Sequence, residues 1–186
     1  MLKRIALTIV LLLSVEGLCS ESSAQCGSID RGSPDAVRQE VNRIFEKSLD
    51  AMDLTAPSGV RSTTWVPPAE SDQAQIKCLG TAAVASITEL LSSTRSFGQL
   101  LAVRMLGWIG GSEIVPPLRR FLASSDSQTC KVAALEALYR APSQEALPII
   151  VRASKVDPNP YVREKAAQII ARYDPEMIKS SRPPDH

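Results

Sequence analysis

The glycines of GWIGG, at Gly107, Gly110 and Gly111, come closest in this chain to a ligand-binding loop. A dinucleotide loop needs G-x-G-x-x-G between a strand and a helix. A P-loop needs a longer spacing that ends in Gly-Lys-Ser or Gly-Lys-Thr. Here the spacing is wrong, no strand pattern precedes the glycines, and no Lys-Ser or Lys-Thr follows them. Glycine also ends helices, because it reaches positive φ without a Cβ clash. The stretch is therefore predicted to stop a helix, and no cofactor is expected.

Nucleophilic and metal chemistry are as poorly supplied. Cys130 sits near a predicted helix start, a place that lowers a thiol pKa. A cysteine nucleophile still needs a base, and the single histidine is His186, the last residue, so Cys130 is read as a structural or free thiol. No CxxC occurs, so a zinc site of Cys and His ligands is not expected. The carboxylates fall on predicted helix surfaces and turns, with no sign of a pair in a pocket. No catalytic, cofactor-binding or metal-ligating residue is assigned, and the chain reads as a non-enzyme.

Two features suit recognition instead. Glu89, Arg120 and Arg152 occupy equivalent places in successive predicted helices, with Arg119 beside Arg120. Such a ladder would line one groove of a concave face and favour an acidic protein segment or an anionic polymer; the alternative is a solvated face. Trp65, in TTWVPP, is either an anchor for a partner or a clamp that packs its own linker back. The shortage of other large residues there favours packing.

These residues are positioned by an internal repeat. Ala102, Ala134 and Ala166 stand 32 residues apart, and so do Leu106, Leu138 and Ile170. Pro116 matches Pro148, Val115 matches Leu147, and Leu118 matches Ile150. A weaker copy lies upstream, where 83–93 aligns under 114–124 at an offset of 31. Each unit carries two helical stripes, such as Val103, Leu106 and Ile109, then Ile114, Leu118 and Phe121. Period-2 alternation is absent and aromatic residues make up only 4%, which argues against strands. A helix pair of this size must stack on its neighbours to bury its apolar face. In the same register Gly110-Gly111 falls on Pro142-Ser143 and Asp174-Pro175, different turn-forming pairs at one place, as a helix end tolerates and a phosphate cradle would not.

YVREKAAQIIARY (161–173), preceded by DPNP and echoed in LLAVRMLGWIGG, resembles HEAT repeats of the short-unit, bilin-lyase type. In register only Val162-Arg163 sits where that family places its Val-Arg pair. The resemblance implies a right-handed α-solenoid of three to four helical pairs whose surface binds a protein partner. It implies as alternatives an accessory role in chromophore attachment or removal, or a regulatory or inhibitory subunit of a secreted enzyme. The bilin partners of such proteins are cytoplasmic, which weighs against the first alternative if the chain is exported.

Export is what the N-terminus predicts. Lys3 and Arg4 precede an apolar run from Ile5 to Val15, too short to cross a bilayer, and Ser22-Ser23-Ala24 offers a cleavage site. Residues 1–24 are read as a signal peptide, 25–52 as an extension with a capping helix, 53–71 as a linker, 72–179 as the array and 180–186 as a disordered tail. The capping helix should start at Ser33-Pro34 and bury Val37, Val41, Ile44, Phe45 and Leu49. Cleavage removes two of 21 basic residues (Lys3, Arg4) and two of 20 acidic ones (Glu16, Glu21). The near-neutral remainder argues against nucleic acid as a partner, and no membrane insertion is expected after cleavage. Of Cys26, Cys78 and Cys130, the first two are expected to pair. A whole repeat separates Cys78 from Cys130, whereas a disulfide needs Cα atoms within about 7 Å.

Overall fold

The computed structural model describes residues 30–54, 65, 67–95, 97–141 and 143–173; the expected signal peptide, Pro142, Asp174-Pro175 and the C-terminal tail lie outside them. The described residues are helical, without strands. Helix α1 runs Pro34–Leu54, α2 Glu70–Leu79, α3 Val84–Leu90, α4 Gly98–Ile109, α5 Val115–Ser124, α6 Gln128–Arg140, α7 Ala146–Val156 and α8 Pro160–Ile170. Helices α2–α3, α4–α5 and α6–α7 are the three pairs, and α8 adds the first helix of a fourth unit. Short 3-10 turns, Gly80–Ala83 and Ser112–Ile114, join the first two pairs.

Packing follows the repeat. The first helices α2, α4, α6 and α8 form a ladder in which each packs on the next, and each second helix packs on the following first helix. Ala102, Ala134 and Ala166 are fully buried where these helices meet. Leu106 and Leu138 are also fully buried, whereas Ile170, on the terminal helix, is only half-buried. Close approach is sharpest at Gly107, where a Cβ would stand 3.0 Å from the Ala137 Cβ. Helix α1 closes the open end of the array. Its five predicted apolar residues are all buried, with Met52 added, and it packs on α2, α3 and α4. Ser33 Oγ accepts the Ala36 N–H at 3.3 Å, as its capping position requires. Helix α2 begins at Glu70, two residues earlier than expected, where Glu70 and Asp72 favour the positive end of the helix dipole.

The units are pinned by caps at one repeat position. Ser127 Oγ accepts the Cys130 N–H, and Asn159 Oδ1 accepts the Tyr161 N–H. Arg163, from the Val-Arg pair, donates to the carbonyls of Asp157 and Pro158 at 2.7 and 3.1 Å. Lys131, its counterpart one unit earlier, donates to Asp157 at 3.0 Å.

GWIGG ends α4. Gly110 has φ 68° and ψ −160°, and its N–H donates to the Leu106 carbonyl. Gly80 ends α2 in nearly the same conformation, φ 56° and ψ −140°. This backbone region is close to glycine-only, and a side chain there costs about 1–3 kcal/mol. Gly110→Ala is expected to lower stability by about that amount, although no atom crowds the site. Chemical denaturation of the two proteins measures it, and an unchanged midpoint would show that the turn relaxes to another conformation.

Candidate functional site

The sequence placed its ladder on the second helices. Glu89 on α3, Arg119 and Arg120 on α5, and Arg152 on α7 are exposed. No ion pair joins them to each other or to another described residue. Arg120 alone borders a concavity of about 330 Å³ between α3 and α5, beside Thr88, Pro117 and Phe121. The other three lie outside its lining.

Trp65 is half-buried against the core. Its ring meets Phe97 edge-on, with centroids 6.1 Å apart, and the Arg104 guanidinium lies 5.1 Å above it. The indole is thus held against Phe97 and α4, which is the packing role the sequence favours. Phe97 holds φ at 59°, an unusual value for a side chain of that size.

The cysteines divide. Cys78 is disulfide-bonded and Cys130 is free and buried; Cys26 lies outside the described residues. Cys130 is the structural or free thiol that the sequence predicts, but its pKa moves opposite to the helix-start effect, because burial pushes it up and the Ser127 hydrogen bond only partly opposes this. Its position at a helix start does not make it reactive: desolvation of the thiolate outweighs the local dipole. Among the described residues no three His, Cys, Asp or Glu side chains converge to hold a metal ion.

A second concavity went unread in the sequence. It holds about 230 Å³ between the first helices α4 and α6, with Tyr161 of α8 at its edge. Arg104 and Arg140 border it together with Glu136, Trp108, Gly107 and Val132. Glu136 is already engaged by Arg172, whose Nη2 lies 2.7 Å from Oε1. Arg172 also stacks on Tyr139, 4.6 Å from the ring centroid, and Tyr139 meets Tyr173 edge-on at 5.0 Å. Arg104 lies close enough to Arg140 for repulsion. Partial burial pushes the Arg104 pKa down, the Arg140 charge pushes it further, and Glu136 opposes both.

The 32-residue register relates these side chains. Trp108, Arg140 and Arg172 share one position of the first helix; Arg104, Glu136 and Gln168 share the position one turn before it; Gly107 corresponds to Tyr139. Aligning the outward faces of the first helices, and not only those of the second, exposes this second ladder.

Residues 84–171 match the family model for HEAT repeats. No curated protein and no solved structure matches the chain.

Proposed function

Residues 84–171 are a HEAT-repeat array, and from that premise we propose that the chain is an exported, non-enzymatic adaptor that binds a protein partner on a helical face of the array. One observation carries the reading. The core is used for stacking helices, while guanidinium groups on the array surface face outward with no carboxylate of another described residue bound to them. Arg120 and Arg152 on the second helices, and Arg140 on the first, are such groups. HEAT repeats serve as interaction scaffolds, and arginine is over-represented at protein interfaces. The bonded state of Cys78 supports export, since disulfides persist in oxidising compartments. Cys26 is its partner in this reading. No described helix is long and apolar enough to cross a membrane.

The test is cross-linked affinity capture from the native envelope fraction, using the mature chain as bait and an unrelated exported protein as control. A protein retained by the chain in near-stoichiometric amount, and lost when the arginines of either helical face are reversed in charge, is the expected result. If nothing is enriched over the control, or if the captured protein survives charge reversal on both faces, the adaptor reading fails. An enzyme as the captured protein would make the chain its regulatory subunit, a narrower form of the same function.

A further inference from the structure

The same diagonal contact occurs twice along the first helices, with opposite outcomes. Between α6 and the residues just after α8, Arg172 finds the Glu136 carboxylate on one side and the Tyr139 ring beneath it. One unit earlier the equivalent arginine, Arg140, finds Arg104 in place of the glutamate and Gly107 in place of the tyrosine. Positions 104 and 107 thus lack the carboxylate and the ring that Arg172 meets, and the concavity of about 230 Å³ lies there, with Glu136, already paired to Arg172, and Trp108 on its border. Gly107 lines the concavity without contributing a side chain, and a Cβ on it would stand 3.0 Å from the Ala137 Cβ.

We propose that this groove binds an acidic segment of a protein partner, whose carboxylate bridges Arg104 and Arg140 and whose adjacent aromatic side chain fills the space above Gly107. The proposal rests on the adaptor reading and names its site and chemistry. Two guanidiniums held against mutual repulsion gain most from an anion between them, through charge-assisted and bidentate hydrogen bonds. Trp108 and Val132 supply an apolar wall for the neighbouring residue. Small-molecule sites enclose about 300–1,000 Å³, so this groove suits one or two side chains of a peptide better than a cofactor.

The probe is a blocked, fluorescein-labelled octapeptide of glutamates around one tyrosine, titrated into the mature chain by anisotropy. Counterparts carry glutamine for glutamate or alanine for tyrosine. The acidic peptide is expected to bind, and each counterpart to bind about tenfold or more weakly. Binding should also weaken as salt rises from about 50 to 500 mM. Arg104→Glu sets a carboxylate opposite Arg140 as Glu136 stands to Arg172, so it should abolish peptide binding; because it also removes the guanidinium over Trp65, a cooperative melt is recorded beside it as the control for folding. Arg140→Gln, at an exposed position, should weaken binding without touching Trp65. Charge reversal at Arg120 and Arg152 should leave the peptide bound.

Equal binding of the glutamine peptide, or unchanged binding by both Arg104→Glu and Arg140→Gln, overturns the proposal. So does a heparin hexasaccharide that binds this groove in place of the peptide. A partner captured from the envelope that the acidic peptide fails to displace at about 1 mM sinks the site while leaving the adaptor reading standing. Absence of any captured partner sinks the adaptor reading itself.

Discussion

Leu138→Asp is expected to leave no cooperative thermal transition and to reduce the helical circular dichroism signal at room temperature. Leu138 is fully buried in α6, the helix that touches α4, α5, α7 and α8. Truncating such a leucine to alanine costs about 2–5 kcal/mol in lost transfer energy and cavity formation. Aspartate adds the burial of a carboxylate among apolar side chains, where the buried ammonium of α6, Lys131, is already paired with Asp157; that is a further cost of several kcal/mol unless it takes up a proton. The total approaches the roughly 5–15 kcal/mol that holds a domain of ordinary size together. Position matters more than chemistry here. Ala167→Asp, on the exposed side of α8, should cost under about 1 kcal/mol, mostly in helix propensity. Circular dichroism melts of the two variants separate the effects. A native-like melt for Leu138→Asp would mean that α6 does not carry the stacking between units.

That contrast also explains what the sequence disclosed. Burial repeats with the unit because each first helix meets the next in the same way. A period of 32 therefore named Ala102, Ala134, Ala166, Leu106 and Leu138 as core before any contact was known. The stripe of α1 was equally legible, since one helical face must cover the open end. Signals failed where a contact depends on two units at once. Arg104 and Arg140 are each ordinary surface residues in their own helix, and only the diagonal between helices makes them neighbours. The first unit also hid its turn. Gly80 ends α2 as Gly110 ends α4, but Gly80 is itself the first residue of its 3-10 turn, so three residues separate it from α3 where four separate Gly110 from α5, which shifts the register. Cys130 was legible as a structural or free thiol, but not the direction of its pKa: its helix start is visible in sequence, while the packing that buries its thiol comes from other elements.

The register has a mechanical consequence at the other end of the array. Units three and four are joined by a buried ion pair, Lys131 Nζ to Asp157 Oδ2 at 3.0 Å, with side-chain exposures of 10% and 8%. Asp157 does more than neutralise the ammonium. Its Oδ1 accepts the Asn159 N–H at 2.9 Å, and its carbonyl receives Arg163. Asn159 in turn caps α8 through Tyr161. Removing the carboxylate strands a buried cation and loosens the cap in one step.

Asp157→Ala is accordingly expected to cost about 3–5 kcal/mol, the range for breaking a buried pair from one side. For a chain of this length that lowers the melting temperature by roughly 6–20 °C. Lys131→Met alone leaves an unpaired carboxylate and should be destabilising as well. Combining Lys131→Met with Asp157→Asn removes both charges and keeps an acceptor for the Asn159 N–H. The double variant should therefore recover most of the loss, because replacing both partners of a buried pair is often near neutral. With Asp157→Asn as the matching single variant, the double-mutant cycle reads the coupling directly. Additive losses with no recovery would mean that the two groups act separately and that α8 is held by its cap alone. Strong recovery would locate the restraint on α8 in the pair, at a loop where the Asp-Pro-Asn-Pro sequence by itself announces only a turn.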